Sequence, residues 1–496
     1  MSAPVIALAV AATIIACAIV VGLLGGRHKL SNPSEFLVAG RSLGALLLWI
    51  LLAGEIYTAF TFLGAAGWAY GRGAPVYYIL CYGPVAYVIG YFVMPLAWKV
   101  GNRYGMLTIG DFFATRYTSS SLGAFVAVVG FVFLIPYIAL QLSGLQTLLS
   151  IAGYGTINAQ LAVIIAVLVI ALFVFSTGLR GAAWTAIVKD AVVLAGVIFA
   201  GVVLPIHFFG SPAGVIARVE AIKPHWLTLS TSDPTYNLTW FISTVVLNGA
   251  AFFLFPQSLM SVYSAKSAGS LRRNYVWLPF YNVMLALMVF AGLTALIVRP
   301  GLSGPDVDQS FVSVVAKYYP PWVLGAIAGA GSLAALVPVS VQLLGASGLF
   351  MKNVVEDALS WRGSERQRTL AVRVLVLALA AGALVLWVFL KTTLVELLLI
   401  AYNGMAQFVP GFAAAFWWRR ATALGVAAGI AAGITICIYG VVAKVSAVLG
   451  VNIGLVALAV NAIVMYIFSV VTTAPRAELV DAFRSAAFAD DDATTN

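Results

Sequence analysis

Hydrophobic positions in this chain do not recur at a helical or strand period against a polar face. They form long unbroken runs. Thirteen such runs occupy about residues 4–24, 43–68, 76–98, 122–151, 159–175, 182–208, 238–256, 277–298, 322–350, 370–390, 394–418, 424–443 and 453–471. A hydrocarbon layer about 30 Å thick needs roughly 20 mostly apolar helical residues, so each run is a candidate membrane helix. Only helices and closed barrels satisfy their backbone polar groups in lipid, and runs of this length specify helices. The pattern predicts an all-α polytopic membrane protein.

Composition supports this reading and narrows it. The 496 residues are 62% hydrophobic and 9% charged, too few charges for the water-facing surface of a soluble protein of this size. The loops after runs 1, 3, 5, 7, 9 and 11, with the C-terminal tail, hold 19 basic residues against 7 in the opposite loops. By the positive-inside tendency the N-terminus is expected outside and the C-terminus in the cytoplasm. The net charge of +10 then reflects loops facing anionic lipid, with no basic, aromatic-interleaved domain for nucleic acid. Cys17, Cys81 and Cys437 lie inside apolar runs without metal-ligand spacing, and His28, His207 and His225 lie at run ends or in loops. A nucleophile or metal cluster for an enzyme is therefore not expected, nor a pore signature for a channel.

Two runs carry features that a plain anchor avoids. The second holds Gly54, Glu55, Thr58, Thr61 and Gly64 through its centre, and the seventh passes from VLNGAAFFLF into Pro256 and Gln257. They stand five runs apart. Interrupted helices at matching places in two halves point to an inverted-repeat transporter with its ligand near the bilayer midplane. The expected organisation is an extra helix and loop over 1–42, a first five-helix repeat over 43–208, an external loop at 209–237, a second repeat over 238–418, two peripheral helices within 419–473 and a cytoplasmic tail from 474.

Several stretches, SNPSEFLVAGRSLG, GEIYTAFTFLG, LTIGDFFATRY, IPYIALQLSG, GLRGAAWT and PGFAAAFWWRR, resemble the sodium:solute symporter family. GEIYTAFTFLGAAGWAYGRGAP is most similar to the bacterial monocarboxylate permeases, which take up short acids such as lactate, pyruvate or acetate. The resemblance implies the leucine-transporter fold: ten core helices in two inverted repeats with one helix before and two after, working by alternating access. It also implies a sodium site at backbone carbonyls of Gly54 and Tyr57 and at Ala334, Val337 and Pro338. The last two should bring hydroxyls to a hard cation, and valine and proline have none. Pro338 does free the Ala334 carbonyl from its helical bond. A further acidic position of the family is Ala186 here.

This departure shifts attention to Glu55, where the family usually has a small neutral residue. An ionisable group inside a membrane helix is a functional candidate, and burial favours its protonated form. Glu55 is expected either to carry a proton in place of sodium or to cap free N–H groups at the helix break. The coupling ion is expected to be a proton, with sodium as the alternative, and no organic cofactor is implied. For the substrate, the family match implies Tyr57, Thr58, Thr61, Gln141, Asn248, Phe252, Tyr402 and Asn403. Hydroxyls and amides there would bind a carboxylate, or would instead bridge helices. Lys189 and Asp190 form an intramembrane charged pair expected to reach partners or the interface, or to line the inward path. The expected function is a cell-membrane symporter of short monocarboxylates, with the small acid and the lipid bilayer as partners and no obligate protein partner. The alternative is a sodium-coupled symporter of the same family carrying such an acid or another small solute, an amino acid for instance.

Overall fold

A computed structural model describes residues 1–26, 33–54, 57–389 and 392–489. The described residues are almost wholly helical, with one two-stranded antiparallel hairpin among them, β1 (Ala447–Val448) and β2 (Val451–Asn452). Among the described residues, ten helices are long and apolar enough to cross a membrane, or eleven if one bent pair counts as a span. The chain is a multi-pass membrane protein.

α1 (Ala3–Gly25) leads the bundle. α2 (Ala45–Gly54) and α3 (Ala65–Arg72) are the two parts of the second apolar run, with a π-helical stretch at Phe60–Gly64 between them. α4 (Tyr78–Arg103), α5 (Ile109–Tyr117), α6 (Ser120–Ala152) and α7 (Ala159–Ile198) follow. α7 continues through a π stretch to Phe209, giving a helical path of 51 residues. At 1.5 Å per residue that path is about 77 Å, more than twice the hydrocarbon layer. The interruption is Gly178, at φ +60° and ψ −156°. Only glycine adopts that region readily, and a Cβ there would lie 2.7 Å from the Phe36 carbonyl oxygen.

The second interrupted run bends by 52°. α8 (Leu238–Ala251) passes through a short 3-10 turn, Phe252–Leu254, and Phe255 is extended before α9 (Pro256–Tyr263). Pro256 causes the break, because its ring forces the preceding residue out of the helical region and then starts a new helix at its first position. α10 (Ala268–Trp277) and α11 (Pro279–Val298) lead to α12 (Pro321–Leu349), which is buried along nearly its whole length. α12 owes that position to its small residues: a Cβ on Gly325 would lie 2.5 Å from the Ala7 carbonyl oxygen of α1, so the two backbones touch. α13 (Glu365–Trp387), α14 (Leu394–Met405) and α15 (Val409–Trp417) complete the core. α16 (Ala423–Ala443) and α17 (Ile453–Val471) pack mainly on each other at its flank.

The expected external loop contains a helix, Pro212–Ile222, and another, Ser310–Tyr318, lies between α11 and α12. The tail also forms α18 (Ala477–Ala487), whose Phe483 packs on Phe112 and Phe416. It stays in place because one apolar stripe, Val480, Phe483 and Ala487, is buried.

Candidate functional site

Both interruptions leave backbone groups without helical partners, and the two are resolved differently. At the first, the N–H groups are taken up by side chains. Thr58 donates its N–H to Thr61 Oγ1 at 2.9 Å, Phe60 to Thr58 Oγ1 at 3.2 Å, and Ala59 to Gln141 Oε1 of α6 at 3.0 Å. Thr58, Thr61 and Gln141, expected as substrate contacts, thus serve as caps, each buried. The Gln141 amide nitrogen has no partner and remains available to donate.

The carbonyls of the same break point at Lys189. Its Nζ, fully buried, donates to Gly54 O at 3.0 Å and to Tyr57 O at 3.4 Å, and lies 2.8 Å from Asp190 Oδ1. Tyr281 donates its hydroxyl to Asp190 Oδ2 at 3.4 Å. Tyr57, for its part, donates its hydroxyl to Tyr281 O at 2.7 Å, with the rings 5.1 Å apart edge to face. A buried charge is tolerable only when paired and hydrogen-bonded, and here both partners are. Lys189 and Asp190 therefore do not reach the interface: they bind one interrupted helix to another helix of the core. Glu55 itself lies outside the described residues.

Of the remaining cation positions, Val337 and Pro338 contribute no hydroxyl, and nearby Ser340 donates its hydroxyl to Leu336 O at 2.9 Å within its own helix. No group of three or more His, Cys, Asp or Glu side chains suited to a metal occurs among the described residues.

The second break is lined by aromatic rings. Phe252 meets Tyr82 and Tyr87 of α4, each at 6.1 Å between centroids, and Tyr402 of α14 meets Tyr82 at 5.7 Å and Phe255 at 5.0 Å. Tyr137 of α6 closes on Phe255 at 5.4 Å. Asn248, one turn before Phe252, is 0% exposed, and neither its oxygen nor its nitrogen has a partner. An amide buried without partners costs about 1–3 kcal/mol.

The sequence picked out Asn248, Phe252 and Tyr402, and the structure brings Phe252 and Tyr402 into one ring cluster. It missed Tyr82, Tyr87, Tyr137 and Phe255. The signal was present in α4, where Tyr78 and Tyr82 are four apart and stack at 5.9 Å. Asn403 is placed elsewhere: a Cβ on Gly454 of α17 would lie 2.3 Å from Asn403 Oδ1, so the side chain faces the peripheral pair. It follows Tyr402 by one residue and hence about 100° around the helix.

Residues 36–433 match the model of the sodium:solute symporter family. The uncharacterized symporter YhjB of Bacillus subtilis is 35% identical over 93% of this chain and 96% of its own length. The monocarboxylate transport permease protein of Rhizobium johnstonii is 28% identical, over 82% of this chain and 83% of its own. A substrate-bound, outward-open Na+-coupled sialic acid symporter superposes with a TM-score of 0.78, covering 95% of this chain and 99% of that one at 14% identity. It shares the fold. With the family model spanning most of its length, this chain belongs to the sodium:solute symporter family and is a secondary transporter of the bacterial cell membrane rather than an enzyme.

Proposed function

We propose that this transporter imports short monocarboxylates of the lactate, pyruvate, acetate and propionate class together with protons, by alternating access. The observation that carries the reading is the buried, unpaired amide of Asn248, one helical turn before Phe252, whose ring clusters with Tyr82 and through it with Tyr402. A small organic acid needs few polar contacts within apolar walls. The Asn248 nitrogen donates to one carboxylate oxygen, and its oxygen accepts from an α-hydroxyl where the acid has one. The rings cover the alkyl end and exclude water. The name of the relative at 28% identity supports the same substrate class.

The architecture that goes with this reading has thirteen crossings, two inverted five-helix repeats over 43–208 and 238–418, an external N-terminus and a cytoplasmic C-terminus. On this reading the 52° bend before Pro256 and the helix end at Gly54 are the matching interruptions of the two repeats. Proton coupling is supported by the missing hydroxyls at Val337 and Pro338. Proton and acid bind with positive linkage, each raising the affinity for the other by the same factor.

Proteoliposomes given labelled lactate or acetate under separately imposed gradients test this. An inward proton gradient is expected to drive accumulation and a sodium gradient alone is not. Accumulation that requires sodium would reverse the assignment of the ion, and uptake of proline but no short acid would reverse that of the substrate.

A further inference from the structure

The carbonyls of Gly54 and Tyr57 are the oxygens at which the family resemblance places a sodium ion, and an ammonium group is hydrogen-bonded to them instead. We propose that Lys189 is a tethered replacement for that ion, so that the position takes no alkali cation at all. The inference concerns the coupling ion of the proposed symporter and rests on reading the chain as one.

The stoichiometry of contacts fits. An ammonium has three N–H donors and no acceptor, and among the described residues three oxygens stand within 3.4 Å of this one: Gly54 O, Tyr57 O and Asp190 Oδ1. It is fully buried, out of reach of bulk water. Gly54 is suited to the approach, since a Cβ there would lie 2.9 Å from Nζ. The charges also balance, because Asp190 neutralises Lys189 within the pair. A sodium ion placed on the same carbonyls would stand a few ångströms from a second cation in a low dielectric, where the repulsion is strong. It would also find no hydroxyl at Val337 or Pro338 to replace its lost water, and Ser340 already donates within its own helix. The tether removes any dependence on ion concentration, as the cation is part of the chain. It still does the mechanical work of a bound ion, linking the end of α2 to α7 across 135 residues of sequence.

The test compares thermal melting of the purified full chain in sodium chloride and in choline chloride at equal ionic strength. The unaltered protein is expected to melt at the same temperature in both. A sodium-specific rise would overturn the proposal. Lys189→Ser removes the ammonium, leaves the carbonyls and Asp190, and supplies a hydroxyl. It is expected to gain a rise of a few degrees in sodium or lithium over choline, since a ligand that binds only the folded state raises its stability. A folded Lys189→Ser protein indifferent to sodium would overturn the proposal equally. Should that variant not fold, the unaltered protein still decides by its own response. No substrate enters these measurements, so a failure of lactate uptake would sink the substrate assignment and leave this one standing.

Discussion

The two interrupted helices make the same kind of defect and treat it in opposite ways. After Gly54, three N–H groups are capped by Thr61, Thr58 and Gln141, and two carbonyls are held by Lys189. Before Pro256, the surrounding side chains are mostly rings, and the buried amide of Asn248 is left with nothing to bond. At the first break the described backbone groups find partners within the protein. The second withholds partners, and a withheld partner in a dry place is what a solute can supply. On the proposed reading, the solute site is marked less by which residues are polar than by which polar atoms remain unsatisfied.

If the first break is closed by a fixed cation, removing that cation should be the most damaging single change. Lys189→Met strands Asp190 in the core, and breaking one side of a buried pair costs about 3–5 kcal/mol. The double variant Lys189→Met/Asp190→Leu is expected to recover much of that loss, because it removes the uncompensated charge. Denaturant or thermal titration of the purified variants reads both. Equal losses in the single and double variants would mean that the pair is not the unit holding the break.

A milder perturbation of the same break is Gln141→Leu. It leaves the Ala59 N–H without its acceptor, and such a loss costs about 1–3 kcal/mol. The predicted signature is lowered stability, with transport by the surviving protein reduced much less. Asn248→Leu should behave the other way round. Its amide has no bonds to lose, so stability is expected to stay level or rise, while uptake of a short acid falls at least tenfold, roughly 1.4 kcal/mol of lost binding. If Asn248→Leu destabilises and Gln141→Leu does not, the contrast between the two breaks is wrong.

What the sequence disclosed follows from the range of the interactions involved. Membrane runs and the two breaks are local: VLNGAAFFLFP announces its bend because Pro256 acts on the residue beside it. Among positions matched by family likeness, Phe252 and Tyr402 fall in one ring cluster while Asn403 faces Gly454, because neighbours on a helix look in different directions. Lys189 was legible as a membrane charge, yet its partners lie 135 and 132 residues away, and nothing along the chain states that distance. The cap role of Gln141 was hidden for the same reason, its acceptor bond to Ala59 crossing 82 residues. Thr58 and Thr61 of TAFT, expected as substrate contacts or helix bridges, accept N–H groups no more than three residues away.

The half-helix that follows the closed break offers the smallest and most local test. Asp308, in the loop between α11 and α12, is 4% exposed and packs beside Gly67 of α3, where a Cβ would lie 2.6 Å from Asp308 Oδ1. Its Oδ2 accepts the Leu394 N–H at 2.9 Å, capping α14, while Oδ1 has no partner. Burial is the main cause that raises this carboxyl to about 7, the Leu394 N–H opposes the rise, and the nearby Glu396 adds to it. A carboxyl raised in the packed state favours packing below its ordinary value of about 4, and that contribution is lost as pH climbs through about 7. Undocking of the loop should consequently become about threefold easier between pH 6.5 and 7.5 and then level off. Hydrogen exchange at the Leu394 amide reports it. Asp308→Asn keeps the acceptor but cannot ionise, so its exchange, corrected for the intrinsic rate, should lose this pH dependence. A slope that persists in Asp308→Asn would show that Asp308 is not the titrating group, leaving α3 held against α14 by packing alone.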